Sequence, residues 1–97
     1  MARYVTLYQF TEQGIRNVKD SPARLRAAVK KAEGLGMKML GAYYTEGPYD
    51  LIAISEAADE KVATAFALAT AAQGNVKSTT MRAYDPDEFE AIVKMMP

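Results

Sequence analysis

The chain has 97 residues, 49% of them apolar, and its 12 basic residues balance its 12 acidic ones. That length makes a single domain with room for a core; the apolar share excludes global disorder, and zero net charge argues against a nucleic-acid binder, which would carry a basic surface. Cysteine and histidine are both absent, which excludes disulfides, thiol chemistry, a histidine-ligated haem and the commonest general base and metal ligand.

Residues 3–10, RYVTLYQF, are β-branched and aromatic and are predicted to form a strand. Val5 and Leu7 fall on one face, and Tyr4, Thr6, Tyr8 and Phe10 on the other. Residues 11–20 are polar and broken by Gly14, as a loop or short helical turn would be. Ser21-Pro22 reads as an N-cap with proline at the first helical position. Leu25, Ala28, Val29 and Ala32 then recur at helical spacing, and Gly34 and Gly36 end the helix. MKMLGAYYT (37–45) and YDLIAIS (49–55) are two strands joined by a Gly47-Pro48 turn, short enough for an antiparallel hairpin. Asp59 is placed to cap a second helix with a stripe of Val62, Ala65, Phe66 and Ala69, and Gly74 stops it. NVKSTTMRAY (75–84) is a fourth strand, polar enough for an edge. Asp85-Pro86-Asp87-Glu88 is a capping box opening a last helix, with Phe89, Ile92, Val93 and Met96 on one face.

The order β-α-β-β-α-β, with one extra C-terminal helix, is the pattern of the ferredoxin-like α+β fold, a single domain over 1–97. In a four-stranded antiparallel sheet of this kind the first and third strands are central. The third is apolar on both sides, with Ile52 and Ile54 on one and Leu51 and Ala53 on the other. Two helices cover only one face. The second face, expected here to carry Tyr4, Thr6, Tyr8 and Phe10, needs another cover, and a second subunit is the simplest. The short last helix is the alternative cover.

Four stretches resemble the GYD domain family: Gly47-Pro48-Tyr49-Asp50, which is its glycine-x-tyrosine-aspartate motif, FTEQG (10–14), DSPAR (20–24) and GNV (74–76). The resemblance spans nearly the whole chain. It implies a small ferredoxin-like domain of the dimeric α+β-barrel type and carries no assigned activity. The chain also resembles, over less sequence, the effector-binding domain of the feast/famine regulators. Gly47, Tyr49 and Asp50 match there, as do Gly74 and Val76 if Asn75 is an insertion, and Thr79. Met81 stands where a further threonine is expected. Those regulators hold small molecules between subunits and also carry a DNA-binding helix-turn-helix, for which this chain has no room.

Two roles are open for Asp50. It can accept backbone N–H groups at the hairpin and fix register, which is the preferred role, or it can face an interface cavity and hold a ligand's ammonium or hydroxyl. Tyr4, Thr6, Tyr8, Tyr49 and Asp50 are the candidate ligand-binding residues, with Gly47 and Pro48 shaping the turn. The basic run Arg16, Lys19, Arg24, Arg26, Lys30 and Lys31 is better explained as a solvated helix face than as an anion patch. Glu46, Asp50 and Glu56 show no metal-ligand pattern, so no metal, cofactor or catalytic residue is assigned. No signal peptide or membrane-spanning run is found, so a soluble cytoplasmic protein with neither membrane nor nucleic-acid partners is expected. The favoured function is a homo-oligomeric module binding a small molecule at or near the subunit interface. A cofactor-free enzyme of the dimeric α+β-barrel type, monooxygenase- or isomerase-like, and a purely structural interaction module are the alternatives.

Overall fold

The computed structural model describes residues 1–97. Its strands are β1 (Ala2–Phe10), β2 (Lys38–Tyr44), β3 (Leu51–Ala57) and β4 (Val76–Ala83). They form one antiparallel sheet in the order β2-β3-β1-β4. The helices are α1 (Glu12–Arg16), α2 (Ser21–Gly34), α3 (Glu60–Ala72) and α4 (Pro86–Lys94), with a 3-10 turn at Val18–Asp20 between α1 and α2. This is the ferredoxin-like arrangement with a C-terminal helix, and β1 and β3 are central as expected.

Side chains settle the helix ends. The Thr11 hydroxyl accepts from the Gly14 N–H, and the Asp59 carboxylate from the Lys61 N–H. Asp85 and Glu88 exchange bonds in a reciprocal capping box, at 2.8 and 3.1 Å. Ser21 does not cap α2. The 3-10 turn delivers the chain to α2 already in helical geometry, with Asp20 at φ −90° and ψ −4°, so the extended conformation an N-cap needs never arises. Ser21 is instead the first helical residue, its hydroxyl 2.8 Å from that of Tyr44.

Strand register assigns every side chain to a face. Val5 pairs with Ile54 and Met81, and Leu7 with Ile52 and Thr79. Thr6 pairs with Ala53 and Thr80, and Tyr8 with Leu51 and Ser78. The second set faces α2 and α3: Tyr8 and Ala53 share a cavity with Ala28 of α2 and Phe66 of α3. The expected placement of Tyr4, Thr6, Tyr8 and Phe10 on the uncovered face is therefore wrong. The open face carries Val5, Leu7, Ile52, Ile54, Met81 and Tyr43. A bulge between Met39 and Gly41 lets Leu40 leave the ladder.

On the helix side Ala32, Met37 and Ala57 form the buried cluster, with Tyr4, Met39, Val62, Ala63 and Phe66 packed against it. The α2 stripe lies as expected. The α3 stripe is rotated: Ala65 and Ala69 are exposed, while Val62, Ala63, Phe66, Ala67 and Thr70 are half-buried.

Helix α4 packs extensively against no other element. Phe89 is 57% exposed and Met96 69%, so α4 does not cover the open sheet face. The radius of gyration, 14.7 Å, exceeds the roughly 12–13 Å of a compact chain this long. The accessible surface, 6712 Å², exceeds by about 1,200 Å² the value expected for a folded monomer of 10.6 kDa. No helix is long and apolar enough to cross a membrane.

Candidate functional site

The four motif stretches, far apart in sequence, meet at one end of the sheet. Asp50 ends the β2–β3 connection just before β3. Its Oδ2 accepts the Phe10 N–H of β1 at 2.8 Å, and its own N–H donates to the Tyr8 carbonyl at 2.8 Å. The Thr45 N–H donates to the Asp50 carbonyl at 2.9 Å. Asp50 thus continues the β1–β3 ladder past its last strand pair, using a carboxylate where the backbone has turned away. Its carboxylate accepts a backbone N–H, but that N–H belongs to the neighbouring strand rather than to its own hairpin, where the preferred role had put it. Gln9 Nε2 donates to the Pro48 carbonyl at 2.9 Å, and the Thr45 hydroxyl to the Tyr49 carbonyl at 2.7 Å. Gly47, at φ +128°, sits where L side chains are rarely found.

Residues 10–14 are locked to 74–76 in the same region. The Thr11 hydroxyl donates to the Gly74 carbonyl at 2.6 Å, and the Thr11 N–H to the Asn75 carbonyl at 3.0 Å. Gln13 Nε2 bridges the Gln73 carbonyl, 3.0 Å, and Asn75 Oδ1, 3.1 Å. Gly14 is buried against this loop, and a β-carbon there would overlap the Asn75 carbonyl oxygen. Only glycine lets α1 approach so closely.

Behind this end lies a cavity of about 70 Å³ between the sheet and the two long helices. Tyr8, Phe10 and Leu51 floor it, α2 contributes Ser21, Arg24 and Leu25, and Asn75 and Val76 edge it. Ten of its 15 lining residues are apolar, and Arg24 is the one charged group. Arg24 Nη1 donates to the Asn17 carbonyl at 3.0 Å, while Nη2 is buried with no acceptor. Burial pushes the Tyr8 phenol above its usual 10.0, against a smaller opposing pull from a hydrogen bond with Thr6. Tyr8 is therefore a neutral donor and a poor proton acceptor.

A second, smaller cavity beneath the helices is lined by Tyr4, Thr6 and Tyr8 together, with Met37, Ser55 and Thr80. The Thr6 and Thr80 hydroxyls are 3.2 Å apart there. Three of the candidate ligand residues are thus brought together, on the helix face. Asp50 is at the end of that face, engaged with Phe10, and Tyr49 enters through its backbone carbonyl. Arg24 departs from the solvated face expected for its basic run: it is half-buried, while the other five residues of the run are exposed. Its place on the Leu25–Ala28 side of α2 was the available signal. No group of three or more acidic residues could hold a metal ion.

The model of the GYD domain family matches residues 4–93. A glutamine synthetase and cystathionine beta-lyase binding protein of Thermus thermophilus is 27% identical over 95 residues, covering 97% of this chain and 100% of its own. No solved structure matches the chain.

Proposed function

Because the chain belongs to the GYD domain family, we propose that it is a homo-oligomeric binding module whose partners are other proteins. The observation that carries this is the uncovered sheet face. Val5, Leu7, Ile52 and Ile54 form a continuous apolar centre on β1 and β3, with Met81 and Tyr43 beside it. The last helix, α4, packs extensively on none of these strands. A second copy presenting the same face buries both at once. The surplus of about 1,200 Å² over a compact monomer exceeds the roughly 800 Å² that a specific interface removes from each partner. Helix α4 extends the assembly, since its apolar stripe has no seat in its own chain. The relative from Thermus thermophilus supports the protein-binding part, for it is named as a binding protein for two metabolic enzymes.

A small molecule held between the two sheets would have to do without Tyr4, Thr6 and Tyr8, which line the helix side. Acid–base catalysis has little support at this end of the molecule, because Asp50 is engaged by the Phe10 N–H and Tyr8 keeps its proton. The test is a titration of purified glutamine synthetase and cystathionine beta-lyase from the same source, with sedimentation velocity of the module alone. Ile54→Asp should break the self-association, and saturable binding to either enzyme should appear with the wild type. A monomer that binds neither would overturn the proposal.

A further inference from the structure

Two features of the molecule lack a partner, and each fits the other. The first is α4. Phe89, Ile92, Val93 and Met96 are exposed along one side of it. The helix carries Asp87, Glu88 and Glu90 against one base, Lys94. Glu88 closes the capping box, which leaves Glu90 as the acid beside the stripe. Its ion pair with Lys94 is exposed and contributes little. The second is a groove of about 530 Å³ between α2 and α3, open on the outer side of the helix layer. Ala27, Ala65 and Ala69 line it and are themselves exposed, with Leu35 beside them. Its charged lining residues, Arg24 and Lys31, are both basic. Lys31 belongs to no ion pair. Small side chains let another helix approach closely, and a basic rim suits an acidic one.

Reach decides which copy fills the groove. Two residues join β4 to α4, so the connection spans about 11 Å at full extension. Helix α3 packs on β4 and α2 on β2, at opposite edges of the sheet. The chain's own α4 would have to cross α3, and a helix is about 10–12 Å wide. The copy across the open sheet face is further away, because a sheet and a helix layer stand between. We propose that the groove between α2 and α3 seats α4 of a second copy from outside the sheet-paired two, with the apolar stripe over the alanines and Glu90 beside Lys31. This seating depends on the sheet pairing proposed above, because one seat is small. A helix of nine residues is about 14 Å long, and the side it buries is on the order of a few hundred Å². A stable complex removes roughly 800 Å² from each partner. One seat is therefore too small to join two single chains. Sheet-paired copies present two helices and two grooves, and the second seat follows the first at high effective concentration.

The chain has no native cysteine, so engineered pairs report contact without background. Full-length Ala69→Cys and Val93→Cys, one of them carrying a size tag, are mixed and oxidised gently. A disulfide needs β-carbons within about 3.5–4.5 Å of each other. A mixed disulfide at least tenfold more abundant than either homodisulfide is expected. Lys31→Glu in the Ala69→Cys chain should lower its yield roughly three- to tenfold, the scale of an exposed ion pair turned into a repulsion. Glu90→Lys in the Val93→Cys chain should then restore it. Sedimentation gives a second readout: wild type should form species above two chains at tens of micromolar, and Val93→Asp should stop at two. A mixed disulfide no more abundant than the homodisulfides, or a charge swap that restores nothing, would overturn the seating, while a two-chain species left the sheet pairing standing. With both cysteine substitutions in one chain, an intrachain bridge in place of an interchain one would put α4 in its own groove and overturn it too. A wild type of single chains would remove the sheet pairing and the seating together.

Discussion

Replacing Asp50 separates an acceptor from a charge. Its Oδ2 lies 2.8 Å from the Phe10 nitrogen, at the point where β3 has not yet begun and cannot supply a carbonyl. Asp50→Ala leaves that half-buried N–H without a partner, although the backbone bonds from Asp50 to Tyr8 and from Thr45 to Asp50 remain. A hydrogen bond to a charged group contributes about 1.5–3 kcal/mol, and partial exposure puts this one near the low end, about 2 kcal/mol. Asp50→Asn keeps an acceptor oxygen in the same place and should cost about 1 kcal/mol. For a domain of this size each kcal/mol moves the melting temperature by about 4–8 °C. The alanine variant should melt about 8–16 °C below wild type and the asparagine variant about half as far. Melts must be compared at one protein concentration, because assembly contributes to apparent stability. Hydrogen exchange adds a local readout: the Phe10 amide should be protected in wild type and in the asparagine variant, and open in the alanine variant. If both variants melt with the wild type and the Phe10 amide stays protected, the bond does not hold the hairpin to β1. If asparagine is as damaging as alanine, the charge of Asp50 and not acceptance alone is what holds the Phe10 N–H.

Gly14→Ala should destabilise by roughly 2–4 kcal/mol in a urea titration, because its β-carbon would meet the Asn75 backbone rather than a flexible side chain; a normal midpoint would mean that α1 rides loosely on the 73–75 loop. Tyr8 has a folded-state pKa raised by burial, so the unfolded chain releases its proton first; stability is full below pH 10.0 and falls as pH rises from there through the folded value. Tyr8→Phe should flatten that decline, and equal slopes for both proteins above pH 10.0 would contradict the assignment. Deleting residues 85–97 should weaken self-association at least tenfold in sedimentation while leaving the far-UV spectrum of the remaining domain intact, since α4 packs extensively on nothing in its own chain. An unchanged mass distribution would make α4 a passenger.

Much of this fold was legible in the chain. Glycines and prolines punctuated it, the caps at Asp59 and Asp85 were written in side-chain chemistry, and a third strand apolar on both sides identified itself as central. What escaped notice has a common physical cause. On β1 both alternating sets are apolar enough to be buried, so periodicity separated the faces without saying which met the helices. The small polar members Thr6 and Ser55, buried on the helix side, point the other way from a simple hydrophobic ranking. On α3 the run of alanines gave no contrast between stripes one residue apart. Ser21 looked like a cap because its neighbour is proline, and only the preceding 3-10 turn, a tertiary choice, moved it into the helix. At the motif end, Asp50 was legible as a turn residue. Its partner Phe10, 40 positions away, and the burial of Arg24 were set by packing that a linear pattern does not contain.

The open face of β1 and β3 is the centre of the account, and sedimentation equilibrium of the full-length protein at low micromolar concentration tests it most directly. A species of at least twice 10.6 kDa, dissociating when Ile54 is replaced by aspartate, is the expected result. A stable monomer of 10.6 kDa with Val5, Leu7, Ile52 and Ile54 left to water would contradict it.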